Sequence, residues 1–439
     1  MKITILTVGT RGDVQPFIAL GLGLKQIGHT VTIVTHAIFE SWIRSYGFDF
    51  AEIVGDPQGF IESEEGQKML ESGSNPIKFI RLLSDSMSPF VDSLMSDIWQ
   101  VCQSTDAIIA HSILFWTYDL AYKLDIPYFL ASFTPLSSTT KYPVSMGSGK
   151  SQGGLFNYLS YPLSLIIFWQ IYKKPVNQWL ESNLSMPSRS LWRSPFLSMR
   201  KQKVPFLYAY SNYVLPKPQN GRKDDYVTGY WFLNSATDWT PPDDLINFLG
   251  AGSPPVYIGF GSMSNRDPEA TTKIAIAALE KTNQRGVIST GWGGISNIDL
   301  PDSIFKIDSV PHDWLFPRCT ALVHHGGAGT TASGLKAGVP TIIVPFFSDQ
   351  PFWGHRVADL GVGTEPIERK KLTVENLSAA IDLAIAQETL RDRANYLGQE
   401  IRSENGVDNA VKVINEYLAS WREAPHLYYD SNECGMNRQ

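Results

Sequence analysis

Two similar halves, each a parallel β-sheet wrapped on both faces by α-helices, are what this sequence predicts. Three observations carry that expectation. Strand-like apolar runs alternate with helical periodicity through the first third, the alternation resumes after residue 245, and a hydrophilic stretch separates the two. Strands separated by helices give a doubly wound sheet with right-handed crossovers. With 439 residues the chain also exceeds one ordinary core.

In the first half, residues 3–8 read as a strand, 14–26 as a helix, 31–35 as a strand and 39–46 as a helix. A strand over 48–53, a long helix over 76–103, a strand over 107–110, a helix over 114–124 and a strand over 128–131 come next. Residues 132–205 lose this rhythm and become rich in Ser, Pro, Tyr and Trp, which marks them as a substrate-facing wall. Within them, LFNYLSYPLSLIIFWQIYKK (155–174) comes nearest to a membrane span. Asn157, Ser160, Pro162, Ser164 and Gln170 interrupt it and Lys173 and Lys174 end it, so a buried or interfacial helix pair is predicted. LPKPQNGRKDD (215–225) and SATDWTPPDD (235–244) read as a linker over 215–244, which makes 1–214 the first domain.

In the second half, 256–260, 286–289, 304–307, 321–324 and 341–344 read as strands. Helices are predicted over 268–282, 328–337, 351–360, 374–386 and 388–404. These form a second domain over 245–406, a helix over 407–424 is expected to cross back to the first, and 425–439 reads as a frayed polar tail.

Composition narrows the function. A net charge of −6 lacks the basic footprint of a nucleic-acid binder. Three dispersed cysteines (Cys102, Cys319, Cys434) offer no disulfide framework, and MKITILTVGTRGD is a strand rather than a signal peptide, so a reducing, cytoplasmic setting is expected.

HHGGAGTT (324–331) carries the clearest chemistry. A strand leads into glycines and then a helix, so unpaired N–H groups and the helix dipole meet at the carboxyl edge of the sheet, where anions bind. Gly326, Gly327 and Gly329 let phosphate oxygens approach the backbone, Thr330 and Thr331 supply hydroxyls, and His325 can donate to a phosphate oxygen and offset its charge. The glycines also suit a plain tight turn. Adjacent His324 and His325 point to opposite faces of an extended chain, which argues against a metal pair and leaves His324 as a packed strand-end residue. No Gly-Lys-Ser/Thr loop is present, and neither GTRG nor GFGSMS completes a dinucleotide fingerprint.

HHGGAGTTASGLKAGVPTIIVPFFSDQPFWGHRVADLGVG (324–363) resembles the donor-binding region of nucleotide-sugar-dependent glycosyltransferases of the GT-B fold, and sterol glucosyltransferases above all. GTRGDVQPFIALGLGLKQIGHTVTIVTH (9–36) resembles the same group and the glycopeptide-antibiotic glucosyltransferases. The resemblance implies two Rossmann-like domains facing across a cleft, a UDP-sugar as co-substrate, and neither cofactor nor metal. It puts His325, Gly327, Gly329, Thr330 and Thr331 on the diphosphate, with Gly261 and Ser262 on its other side. It puts Val310 on the uracil edge, Trp292 in the base pocket, and Asp349 and Gln350 on the donor sugar. Each has an ordinary use as well: Ser262 can cap the adjoining turn, Asp349 can cap the helix at Pro351, and Trp292 can be core. Ser333 stands where plant relatives carry a ribose-binding glutamate.

On the acceptor side the resemblance makes Asp13 the general base, in place of the histidine of many relatives, although an Asp there can equally cap the helix expected at Val14. His111, ending the fourth strand, falls near the orienting residue of histidine-base enzymes and is a second catalytic candidate, with a satisfied buried histidine as the alternative. The implied reaction is inverting transfer of a hexose, glucose by resemblance, to a sterol-like or other lipophilic hydroxyl, with peripheral membrane contact. A soluble polyketide, terpenoid or peptide acceptor, and a non-catalytic nucleotide or lipid binder, stay open as alternatives.

Overall fold

The computed structural model describes residues 1–71, 81–82, 84–86, 88–147, 149–218, 221–234, 239–260, 268–289 and 300–423. Its first sheet has seven strands: β1 (Lys2–Leu6), β2 (Thr30–Thr35), β3 (Asp49–Glu52), β4 (Ala107–His111), β5 (Tyr128–Ser132), β6 (Phe206–Tyr208) and β7 (Asp225–Val227). They run in the order β3-β2-β1-β4-β5-β6-β7, every neighbouring pair parallel. The second sheet has β8 (Val256–Gly259), β9 (Gly286–Ser289), β10 (Ile304–Ile307), β11 (Ala321–His324) and β12 (Thr341–Ile343), ordered β10-β9-β8-β11-β12 and again parallel throughout. Central strands such as β4, β5, β8 and β11 are buried along their whole length, as a sheet covered on both faces requires.

The strand order reverses between β1 and β4 in one sheet and between β8 and β11 in the other. Loops leaving such a reversal diverge to opposite faces and open a crevice at the carboxyl ends of the strands. Helix α1 (Arg11–Gln26) leaves β1, and helix α4 (Ala328–Ala337) leaves β11. The last described helix, α6 (Gly406–Glu423), packs on the first sheet's core: its Ala410, Val411, Ile414 and Leu418 are buried with Ile3, Ile5, Phe17 and Leu24. Arg356 Nε donates to the Val214 carbonyl at 2.7 Å, and Glu404 accepts from Ser211 Oγ at 3.0 Å, so side chains stitch the halves together.

Three expectations need correction. The segment read as a linker contains β7, an edge strand whose buried Asp225 is matched by the Arg200 guanidinium and by Ser137 Oγ at 2.5 Å. The expected pair of helices at 155–174 is one continuous helix, α3 (Gly154–Leu184). Pro162 and Pro175 lie inside it, and packing of Tyr161, Trp169, Tyr172, Trp179 and Leu180 along one flank outweighs their disruption. The long helix expected over 76–103 is interrupted by a 3₁₀ turn, Ser88–Phe90, before helix α2 (Val91–Cys102), because Pro89 has no N–H to continue the ladder. Residues 76–80, 83 and 87 of that reading lie outside the described residues.

Candidate functional site

A cleft of about 2020 Å³ runs between the two crevices and is lined from both halves. On the first-sheet side, α1 starts at Arg11 rather than Val14, so Asp13 is not the residue that precedes the helix. It occupies the third helical position and reaches back to the turn, its Oδ2 accepting from the Thr10 N–H at 2.7 Å and from Thr10 Oγ1 at 3.1 Å. This is the carboxylate half of a capping box. Gly9 makes room for it: φ is +123°, and a Cβ there would stand 2.3 Å from Asp13 Oδ2. Asp13 nonetheless borders the cleft. Desolvation raises its pKa to about 6 against the pull of the Thr10 bonds, and Asp349, approaching from the opposite half, pushes the same way. The carboxylate is thereby a stronger base than a free aspartate.

His111 also borders the cleft, at the end of β4. Its ring lies 5.0 Å from that of Phe133 and 5.8 Å from that of Phe17, and burial lowers its pKa to about 4 despite a backbone hydrogen bond to Val8. Its Nδ1 has no hydrogen-bond partner, and no hydrogen bond joins it to Asp13 among the described residues. His36, which sequence reasoning passed over, braces the same loop by accepting the Gly9 N–H at 3.4 Å.

On the second-sheet side, β11 delivers His324 into the core, where its Nδ1 accepts the Gly326 N–H at 3.0 Å. His325 turns into the cleft. Burial, aided by neighbouring His312, lowers its pKa to about 4, so it is neutral near pH 7. From this neutral form it can donate a hydrogen bond to an anion. Gly327 is the N-cap of α4, and a Cβ on it would meet His325 Nε2 at 2.6 Å. Gly327, Gly329 and Thr330 border the cleft, and a Cβ at Gly329 would meet nothing within 4 Å, leaving backbone open to a ligand. The first N–H groups of α4 have no partner within the helix. Thr331 differs: it is fully buried, its hydroxyl has no partner, and it is absent from the cleft wall. Ser333 borders the cleft, and its Oγ donates back to the Gly329 carbonyl at 3.0 Å.

Asp349 and Gln350 begin helix α5 (Gln350–Asp359) after a left-handed residue, Ser348, at φ +59°. Asp349 sits at the N-cap but makes no side-chain cap; its Oδ2 accepts from Trp353 Nε1 at 2.8 Å, and burial raises its pKa. Gln350 Oε1 accepts from Phe346 N–H at 2.8 Å and Phe347 N–H at 3.3 Å, fixing the loop that carries Asp349. Val310 lies on the cleft wall beside His312, whose ring stacks on Phe316 at 4.2 Å. Gly261, Ser262 and Trp292 lie outside the described residues.

The structure thus gathers Asp13, His111, Val310, His325, Gly327, Gly329, Thr330, Asp349 and Gln350 around one cleft. Its deeper first-half wall is apolar, with Leu94, Phe115, Leu136, Val144, Phe168 and Phe196 among the lining residues. Several of these come from the run that had lost its α/β rhythm. Among the described residues there is no cluster of three or more His, Cys, Asp or Glu side chains that could hold a metal ion.

Comparison with known proteins agrees with this architecture. The glycosyltransferase family 28 N-terminal domain matches residues 3–143, and the erythromycin biosynthesis protein CIII-like C-terminal domain matches residues 292–416. Sterol 3-beta-glucosyltransferases of Aspergillus terreus and Aspergillus fumigatus are each 42% identical over 427 residues, covering 94% of this chain and 30% of theirs. The chain therefore spans about 30% of the length of these curated relatives. The solved glycotransferase of kitacinnamycin superposes with a TM-score of 0.70 at 17% identity, over 95% of this chain and 99% of that one. The glycosyltransferase VinC in complex with DTDP gives 0.65 at 17%, over 96% and 100%. With two family domains matched in chain order and a single alignment running across both, the chain has the GT-B glycosyltransferase fold and is similar over nearly all of its length to one part of the sterol 3-beta-glucosyltransferases.

Proposed function

We propose that the chain transfers a hexose, glucose by analogy with its relatives, from a UDP-sugar to the hydroxyl of a sterol-like or other lipophilic acceptor, with inversion and without a metal. One observation carries this reading: a base-strengthened carboxylate and a helix N-terminus suited to phosphate face each other across a cleft with an apolar floor. The half containing Asp13 would take the acceptor and the half containing His325 the donor.

In this mechanism the acceptor oxygen attacks the anomeric carbon from the side opposite the diphosphate, and Asp13 accepts its proton as the new C–O bond forms. The bond from that carbon to the phosphate oxygen breaks, and the leaving diphosphate takes the electron pair. Its charge is steadied by the first amides of α4, by a hydrogen bond from His325 and by the Thr330 hydroxyl. Asp349, oriented by Trp353, holds sugar hydroxyls. His111, unpaired with Asp13, would shape the acceptor pocket.

An acceptor of this kind dissolves in membranes, so peripheral membrane contact belongs to the proposal; no described helix is long and apolar enough to cross one. The test is incubation with several UDP-sugars and a sterol-containing lipid extract, read by mass spectrometry. A hexose added to a sterol supports the reading. Glycosylation confined to a soluble aromatic or polyketide panel would shift the acceptor class, and UDP binding without turnover on any acceptor would favour a non-catalytic binder.

A further inference from the structure

Helix α3 has two unlike faces. Ser164, Leu165, Phe168 and Tyr172 look into the cleft. Leu155, Phe156, Tyr158, Leu159 and Leu163 look out, each between 48% and 74% exposed. At helical spacing the outward set falls within about half the circumference, opposite the cleft-lining set. A contiguous apolar strip of this kind marks a contact surface.

Charge indicates what the strip contacts. From residue 126 to the end of α3 at Leu184 the chain carries Lys141, Lys150, Lys173 and Lys174 against a single acid, Glu181, which accepts from Ser188 Oγ, although the net charge of the whole chain is −6. Two of these lysines are held beside the start of α3, because Asn157 Nδ2 donates to the Thr140 carbonyl at 3.0 Å and to Ser151 Oγ at 2.9 Å. Lys173 and Lys174 lie on the same helix farther along. Trp192, 74% exposed, lies two residues past Ser190, whose carbonyl accepts from Trp169 of α3 at 3.1 Å.

We propose that the outward face of α3 docks on an anionic lipid bilayer, with its apolar side chains at the acyl boundary and the lysines among the headgroups. A second copy of the chain is a poorer occupant, because two lysine-bearing faces of net positive charge would repel. The bilayer also explains the two faces together, since a wall of the cleft and the membrane contact are then one helix. The consequence for acceptor delivery rests on the proposed transfer to a membrane-dissolved alcohol; the docking itself does not.

The experiment is flotation of the full chain with vesicles of phosphatidylcholine alone and of phosphatidylcholine mixed with phosphatidylserine. Wild type should float with the mixed vesicles and release as salt rises. Leu159→Glu/Leu163→Glu and Lys173→Glu/Lys174→Glu should each weaken flotation by about tenfold or more. Both pairs lie outside the cleft wall, so melting temperature and transfer to a cyclodextrin-delivered acceptor should be unchanged. Failure of wild type to float, or flotation of Leu159→Glu/Leu163→Glu at the wild-type level, would overturn the proposal. So would a concentration-dependent dimer that this variant abolishes. Variant-sensitive flotation with no glycosyl transfer by wild type would support the docking face while refuting the proposed activity.

Discussion

Replacing Asp13 by Asn separates base from cap. Asn keeps an oxygen that can accept the Thr10 N–H, now 2.7 Å from Oδ2, so the capped first turn of α1 should persist and the melting temperature should change little. The proton acceptor is lost, and general bases typically contribute about 10²–10⁴-fold, which sets the expected fall in turnover. The pH profile gives a second, independent reading. With a pKa of about 6, Asp13 is ionised about nine-tenths at pH 7 and about one-tenth at pH 5. The free-enzyme kcat/KM should therefore fall roughly tenfold between those values, the profile bending at the pKa and approaching unit slope only below about pH 5. Since Asp349 adds to the upward shift, Asp349→Asn should move that limb to lower pH as well as weakening donor use. Turnover measured by mass spectrometry across this range is the assay. An Asp13→Asn enzyme within tenfold of wild type, or a wild-type profile flat between pH 5 and 7, would refute the assignment.

Three further outcomes are set by local geometry. Gly327→Ala forces the His325 ring to move, because the added Cβ would meet Nε2 at 2.6 Å; UDP affinity by calorimetry should drop about tenfold, the worth of a hydrogen bond to a charged group. Trp353→Phe removes the indole donor 2.8 Å from Asp349 Oδ2, so kcat/KM for the UDP-sugar should fall about tenfold while the Kd for UDP alone stays put; equal losses in both would make Trp353 merely structural. Arg189→Met strands fully buried Asp119, which Arg189 Nε now contacts at 2.7 and 2.8 Å; chemical denaturation should show a loss of about 3–5 kcal/mol.

The two-sheet fold was legible because its central strands are buried on both faces and read as short apolar runs; β8, β9 and β11, and edge strand β10 with them, fall within a residue of their predicted limits. β6 and β7 were not: β6 directly follows the Ser- and Pro-rich run, and β7 opens with an Asp whose neutralising partner, Arg200, is 25 residues away in sequence. The prolines of α3 signalled a break that packing overrode. In the site, the residues on glycine turns could be named because backbone approach leaves a compositional trace. Thr331 could not be told from Thr330 until the helix was oriented. His36 and His312 stand in or beside the motifs quoted, at the end of 9–36 and two residues past Val310, yet a lone histidine carries no sign of what it faces.

What sequence could least supply is the basicity of Asp13, the proposed base, because that is a property of the cleft rather than of the residue. Burial supplies most of the upward shift, and the Thr10 bonds, both local, oppose it. The remaining push comes from Asp349, more than 300 residues away along the chain and delivered by the other sheet. A base made in this way is strongest only when both halves face each other and water is excluded. Were the halves to part, Asp13 would return toward an ordinary, weaker aspartate. Donor binding would therefore act on the acceptor's proton without touching it: sugar hydroxyls engaging Asp349 would bring that like charge to a fixed place opposite Asp13. If so, UDP and the complete UDP-sugar should shift the Asp13 titration by different amounts, and equal shifts followed by NMR of the labelled carboxylate would sever that link.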